Sequence, residues 1–234
     1  LKAEPFLQAL IAYAKQEKND LLYSMALGYI SPAVRFLPVR PDGLEHALWQ
    51  LVTGGITPGR RLQAFRQYVS LAESEQAAAQ LYQIWEKREL EGKPLSERDE
   101  INLSYQLAIR LPEKADEIVN EQLKRISNPD RQAEYRFISP SVSPRKEVRD
   151  SVFEALLVAD NRRIEPWAST ALSLLNHRLR EAESVEYILP ALEILEEGQR
   201  TGDIFFPTAW LRALLGGHSS VQARDEVEAF YAEY

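Results

Sequence analysis

Three histidines, His46, His177 and His218, are the residues of this chain best suited to acid–base or metal chemistry. None of them belongs to an H-E-x-x-H helix, which places two imidazoles on one zinc ion and a glutamate on its bound water. His177 and Glu181 are four residues apart, a spacing that could put them on one helical face. Without a third ligand they indicate a surface pair or a helix-end cap. The sequence therefore predicts no catalytic residue, no metal ligand and no cofactor in this segment.

Two short segments contain the residue types of a phosphate loop and of a nucleophile. In GGITPGRR, residues 54–61, two glycines are spaced as in a phosphate loop, but arginines replace the lysine and the hydroxyl, and Pro58 removes one N–H group. The segment predicts a helix end followed by a capped helix start. Ser219 and Ser220 follow His218, and serine at that point is typical of a helix N-cap rather than of a nucleophile.

Two arginine pairs are candidate ligand contacts. Arg60 and Arg61 lie in the first turn of the helix predicted to start at Pro58, and Arg162 and Arg163 form the second pair. They could line a groove for an acidic ligand or for the end of a substrate, although such residues usually form a solvated face. Both interpretations stay open at this point.

Aromatic residues precede one helix start, where polar residues are normally found. Phe205 and Phe206 come directly before Pro207, and Trp210 follows within the helix. Either these side chains plug the end of a helix stack, or they dock on a partner domain. Phe205, Phe206 and Trp210 are therefore candidate interface residues.

The elements that would position these residues are short helices. Proline is tolerated in the first turn of a helix and pushes the preceding residue into a capping conformation. Prolines occupy seven such positions: Pro32, Pro58, Pro112, Pro129, Pro144, Pro166 and Pro207. From Ser96 onward, every second helix start recurs after roughly 30 to 40 residues, near the period of helical repeats. The sequence predicts an all-α fold of antiparallel helix pairs in a right-handed, HEAT- or armadillo-like superhelix.

Domain boundaries follow from the same pattern. We expect one helical-repeat domain over residues 1–234, with a possible internal break at 31–43, where prolines and a glycine cluster. The chain begins at Leu1 without a methionine and stops inside an amphipathic helix, so we expect a piece of a longer protein.

Composition excludes several functions. The formal net charge is −7 over 234 residues, which argues against a nucleic-acid partner. No run of apolar residues is long enough to cross a membrane. The absence of cysteine excludes disulfides and thiolate sites but leaves the cytoplasm and the periplasm equally open.

Four segments resemble a known family. EPWASTALSLLNHRLR at 165–180 and GDIFFPTAWLRALLGGHSS at 202–220 resemble the C-terminal helical domain of bacterial aminopeptidase N-like zinc metallopeptidases. GKPLSERDE at 92–100 and NPDR at 128–131 are similar to helix junctions of that domain. The resemblance is sharpest over roughly the last seventy residues.

The resemblance implies a fold and a function. It implies a bowl of antiparallel helices over an upstream catalytic domain of the same chain, which encloses the active site and restricts peptide access. The zinc helix, its downstream glutamate ligand and the peptide-binding motif of the family lie outside this segment, so no catalytic or zinc residue is carried over. The resemblance thus implies a non-catalytic lid, with zinc in the parent enzyme alone and the peptide substrate as an indirect partner. The alternative is a free-standing HEAT-like scaffold that binds another protein.

Overall fold

The computed structural model describes residues 2–37 and 39–233, and Leu1, Pro38, Tyr234 and the side chain of Thr201 lie outside the described part. The all-α prediction is confirmed. The first helices are α1 Ala3–Gln16, α2 Asp20–Arg35, α3 Leu44–Thr53, α4 Pro58–Leu71 and α5 Glu75–Lys87. A small antiparallel hairpin, β1 Glu89–Leu90 and β2 Lys93–Pro94, follows them.

The remaining helices follow this hairpin. They are α6 Glu97–Arg110, α7 Ala115–Arg125, α8 Pro129–Ile138, α9 Lys146–Leu157, α10 Glu165–Leu175, α11 Glu181–Ser184, α12 Ile188–Glu193, α13 Leu195–Thr201, α14 Phe206–Leu215 and α15 Val221–Glu233. Short 3-10 turns join several of them, at Pro112–Lys114, Ser139–Val142, Ala159–Arg162, Arg178–Arg180 and Val185–Tyr187. None of the helices in the described part is both long and apolar enough to cross a membrane.

The chain divides into two compact units, residues 1–95 and 96–234, here called the N-terminal and C-terminal units. The possible break at 31–43, where prolines and a glycine cluster, stays a prediction. Helix α2 continues through Ser31 and Pro32 to Arg35, so the start of that range is regular structure. Pro38, in the same range, lies outside the described residues.

Capping explains most helix starts. Pro58, Pro129, Pro166 and Pro207 lie in the first two positions of their helices, as predicted. The prediction was wrong for Pro32, which lies inside α2 because the apolar face of that helix continues past it. Three further starts have polar caps: Asn19 before α2, Ser74 before α5 and Ser96 before α6.

Two antiparallel helix pairs build the N-terminal unit. Helix α1 packs against α2, and α3 packs against α4; the pairs meet where α1 contacts α3 and α2 contacts α4. The buried face of α2 carries Tyr23, Ala26, Leu27, Ile30 and Ala33. Full burial of the larger aliphatic side chains, Leu27 and Ile30, is worth roughly 1.5–3 kcal/mol each.

Two apolar clusters form the core of the C-terminal unit. One surrounds the stacked rings of Tyr105 and Tyr135, whose centroids are 5.0 Å apart. The other surrounds Trp210, whose indole N–H donates to the carbonyl oxygen of Ala191 at 2.9 Å. Helix α10 contacts α8, α9 and α14 and so lies between the elements that carry the two clusters.

One type of contact recurs in both units. A glutamate in the first turn of one helix accepts N–H groups from the loop that precedes a later helix. We call these the glutamate-to-loop contacts. They join Glu45 to Glu73 N at 2.6 Å and Ser74 N at 3.0 Å, Glu97 to Ser127 N at 3.0 Å, Glu165 to Asp203 N at 2.9 Å, and Glu181 to Ser219 N and Ser220 N, both at 2.5 Å. Each contact holds the N-terminal ends of two helices side by side, as stacked hairpins require, while the right-handed superhelix stays a prediction.

Candidate functional site

The guanidinium of Arg60 is buried within the N-terminal unit. It donates to the carbonyl oxygens of Glu17 and Lys18, the latter at 2.5 Å, and to Asp20 Oδ1 at 2.6 Å. It also lies over the ring of Tyr23, 4.8 Å from its centroid. These bonds fix the turn between α1 and α2, so the donors of Arg60 serve the fold.

Arg61 has a related structural contact. Its Nε donates to the carbonyl oxygen of Gly55 at 2.8 Å, and Thr57 Oγ1 accepts the N–H of Arg60 at 3.3 Å. The segment 54–61 is therefore a helix end followed by a capped helix start, as the sequence indicates.

In the C-terminal unit, the two arginines of the second pair differ in environment. Arg162 is buried and donates to the carbonyl oxygen of Leu156 at 2.6 Å and to Glu197 Oε2 at 2.7 Å. Arg163 is exposed and pairs with Asp160 at 2.8 Å. Of this pair, Arg163 is the one whose position suits a ligand contact, and that role stays a prediction.

Two more buried arginines repeat the pattern of Arg60 and Arg162. Arg149 donates to the carbonyl oxygens of Ser143 and Pro144 and pairs with Glu183; Arg180 donates to that of Val142 at 3.0 Å. Burial, followed by the charge of Arg149, lowers the pKa of Arg180 to about 10, which leaves it charged at neutral pH. These contacts could not be predicted from the sequence. Main-chain carbonyl groups occur at every residue, so the partners of a buried arginine leave no sequence pattern.

His177 lies at the start of the turn before α11. Its Nδ1 accepts the N–H of Leu179 at 3.2 Å, so its Nε2 carries the proton and donates to Gln106 Oε1 at 3.1 Å. Burial and the nearby charges of Arg110 and Arg180 lower the pKa of His177 from 6.5 to about 3. The imidazole is therefore neutral at physiological pH and is fixed by two hydrogen bonds.

This environment predicts that acid destabilises the protein. Since the folded-state pKa of His177 is below the unfolded-state value, its contribution is complete above pH 6.5 and is lost as pH falls toward about 3. One such group gives a slope of about 1.4 kcal/mol per pH unit in the free energy of unfolding. We expect urea denaturation between pH 7 and 5 to show a slope that approaches this value toward pH 5, and His177→Gln to reduce it. His46→Gln, at an exposed histidine, is the matched control; equal slopes in both variants would contradict the assignment.

His218 and the serines that follow it form a structural cluster. His218 Nε2 bonds to Asn176 Oδ1 at 2.8 Å, and Ser220 Oγ accepts the N–H of Ala223 at 3.2 Å. The prediction that serine caps the last helix is confirmed. Glu181 accepts the N–H groups of Ser219 and Ser220, so this corner joins α10, α11 and α15.

Metal ligands are not grouped in the described part of the chain: no three His, Asp or Glu side chains there are placed to hold an ion. The resemblance places the zinc ion in the parent enzyme and outside this segment, and that stays a prediction.

The three aromatic candidates divide into core and surface. Trp210 is 0% exposed and Phe206 is 5% exposed, with ring centroids 5.5 Å apart. Phe205 is 73% exposed, and its neighbour Ile204 is also exposed. Phe206, the first residue of α14, is therefore part of the core. Phe205 is exposed and is available to a partner.

Sequence reasoning missed the most extended apolar surface of the N-terminal unit. On the solvent side of α2, Leu22, Met25 and Tyr29 recur at helical spacing and are exposed by 43%, 49% and 53%. Leu21, Pro32 and Phe36 are exposed as well. We call these six residues the α2 face. The spacing of Leu22, Met25 and Tyr29 is visible in the sequence. Because the other side of α2 is apolar too, the sequence does not show which side is exposed.

Comparison of the chain with known protein families, with curated proteins and with solved structures found no match to any of them.

Proposed function

We propose that this chain is a non-catalytic helical domain that covers the active site of a zinc aminopeptidase and restricts the access of peptides. The specific identity of the parent is supported by the resemblance of segments 165–180 and 202–220. The general role, a domain that packs on another protein surface, is supported by the α2 face.

The α2 face is the observation that carries the proposal. A contiguous apolar surface of this kind on a folded domain typically marks a surface that another protein region covers. Here both sides of one helix are apolar, and the side with Tyr23 and Ile30 is already used by the core.

The polar groups support the same role. Arg60, Arg149, Arg162 and Arg180 donate to main-chain carbonyl groups, and His177 and His218 are held by amide side chains. A lid contributes shape and rigidity rather than reactive groups. In this proposal the upstream catalytic domain holds the zinc ion, and the peptide substrate is an indirect partner.

A free-standing scaffold that binds another protein is the second candidate. The α2 face favours it equally, because the face indicates a partner without identifying it. A zinc motif encoded upstream of Leu1 would favour the lid, and an upstream sequence without that motif would favour the scaffold.

The experiment is to sequence the parent reading frame and to assay both proteins. We expect an upstream H-E-x-x-H helix followed by a further glutamate, and aminopeptidase activity in the parent. Residues 1–234 alone should cleave no aminoacyl reporter substrate and hold no zinc after a chelator wash. One equivalent of retained zinc in the fragment, or an upstream frame without the zinc motif, would overturn the lid and leave the scaffold.

A further inference from the structure

We propose that a cleft of the N-terminal unit binds the ring of a neutral sugar, a pyranose that is free or ends a longer saccharide. The cleft has a volume of about 240 Å³ and lies between α3, α5 and the β1–β2 hairpin. Six of the side chains that line it carry the argument: Trp49, Gln80, Gln83, Lys87, Glu89 and Glu91. We call it the Trp49 cleft. The inference does not depend on the proposed function, because none of these residues supports the lid.

The first argument is that a buried residue holds one wall of the Trp49 cleft in place. Trp49 is partly exposed, and its ring centroid lies 5.2 Å from that of Tyr68, which is buried. The hydroxyl of Tyr68 donates to Gln80 Oε1 at 2.8 Å. This bond fixes the amide of Gln80, whose N–H groups remain as donors for a ligand. One tyrosine therefore positions both an apolar contact and a polar contact of the cleft.

The second argument is the distribution of donors and acceptors. Gln80, Gln83 and Lys87 recur at helical spacing on one face of α5 and supply N–H donors. Glu89 and Glu91, on the hairpin, supply carboxylate acceptors to the same cleft. An anion would meet these carboxylates, a cation would meet Lys87, and a fully apolar ligand would leave all of these groups without partners. A sugar ring suits the whole set, because its hydroxyl groups both donate and accept while its C–H face packs on an aromatic ring.

The third argument is the backbone of the hairpin. In the part of the chain that the structure describes, two residues other than glycine have a positive φ, Arg88 at 60° and Glu91 at 50°. Arg88 lies between two lining residues, and Glu91 lines the cleft itself. Glu91 and Gly92 form a two-residue turn with positive φ at both positions, where Asn-Gly or Asp-Gly is usual.

Glutamate at position 91 has a steric cost that its own contacts do not offset. Among the described residues, Glu91 forms no hydrogen bond and no ion pair. Backbone strain that the fold does not require is typical of positions that contact a ligand. The carboxylate of Glu91 is therefore the acceptor that we assign to a sugar hydroxyl.

The test is saturation-transfer NMR of residues 1–234, with methyl β-D-glucopyranoside and maltotriose as probes. We expect transfer to be strongest at the C–H protons of one ring face, the face that packs on Trp49. The indole N–H signal of Trp49, assigned by its loss in Trp49→Phe, should shift as either sugar is added. A larger effect of maltotriose identifies the end of a saccharide chain as the ligand, and equal effects identify a free ring; both keep the inference.

Glu91→Asn separates binding from folding. Asparagine suits the turn, so the melting temperature should be unchanged or higher. The Kd for methyl β-D-glucopyranoside should rise by at least about fivefold, because an acceptor is lost. The matched control is Glu86→Gln, because Glu86 is an exposed acid of α5 that does not line the cleft, and it should change neither quantity.

Two results would overturn the inference outright. One is no transfer to either sugar, and the other is an unchanged Kd in Glu91→Asn. A shift of the Trp49 indole signal by choline or by a proline-rich peptide, with no shift by the sugars, would also overturn it, in favour of a cationic or a peptide ligand.

Discussion

Gly217→Ala should lower the free energy of unfolding by about 3 kcal/mol or more, the largest effect we expect of adding a single methyl group. A Cβ atom at this position would lie 1.7 Å from the carbonyl oxygen of Asn176 and 2.9 Å from the nitrogen of Arg178. Both are backbone atoms, so no side-chain rotation relieves the collision. The loop between α14 and α15 must then withdraw, and His218 loses its 2.8 Å bond to Asn176.

Urea denaturation of purified variants tests this expectation. Gly59→Ala is the matched control, because its added methyl group lies in open space and should change stability by less than about 1 kcal/mol. Similar stabilities of the two variants would show that the α14–α15 loop does not approach Asn176 as described.

Trp210→Ala should cost about 3–5 kcal/mol, because it empties the centre of the larger cluster in the C-terminal unit. The loss includes the hydrogen bond to Ala191 and the ring over which the guanidinium of Arg162 lies, at 5.7 Å from the centroid. Trp210→Phe should retain most of the packing and lose the hydrogen bond, at a cost of about 1–3 kcal/mol.

Phe205→Ala separates the two roles that the sequence left open for these aromatics. Because Phe205 is largely exposed, the substitution should change the stability of the chain by less than about 0.5 kcal/mol. A loss as large as that of Trp210→Ala would mean that Phe205 belongs to the core. Thermal unfolding of the three variants in parallel gives the comparison.

The sequence predicts helix starts better than it predicts what each helix covers. Pro58, Pro129 and Ser96 identify their helices because capping is a local property of the backbone. Pro32 misleads, since packing of α2 against α1 and α4 outweighs the missing N–H group of one residue. Rules based on neighbouring residues do not predict that packing between helices can offset a missing backbone hydrogen bond.

The candidate surfaces show the same limit. Phe205 and Phe206 are adjacent and chemically identical, yet one is exposed and the other buried, because the direction of a side chain depends on how α14 meets its neighbours. The α2 face has a visible spacing, but a helix that is apolar all round gives no sign of which side remains uncovered. Likewise, nothing in the residue type distinguishes Arg162, which is buried, from Arg163, which is exposed.

The glutamate-to-loop contacts have a consequence for how the chain folds. They close loops of 28 to 39 residues in a chain of 234. The entropy of loop closure grows slowly with length, so each closure costs nearly the same. None has to wait for a distant part of the chain, because the two partners of each contact are separated by less than a fifth of its length. During synthesis, each helix can therefore be secured as soon as the loop carrying its partner leaves the ribosome.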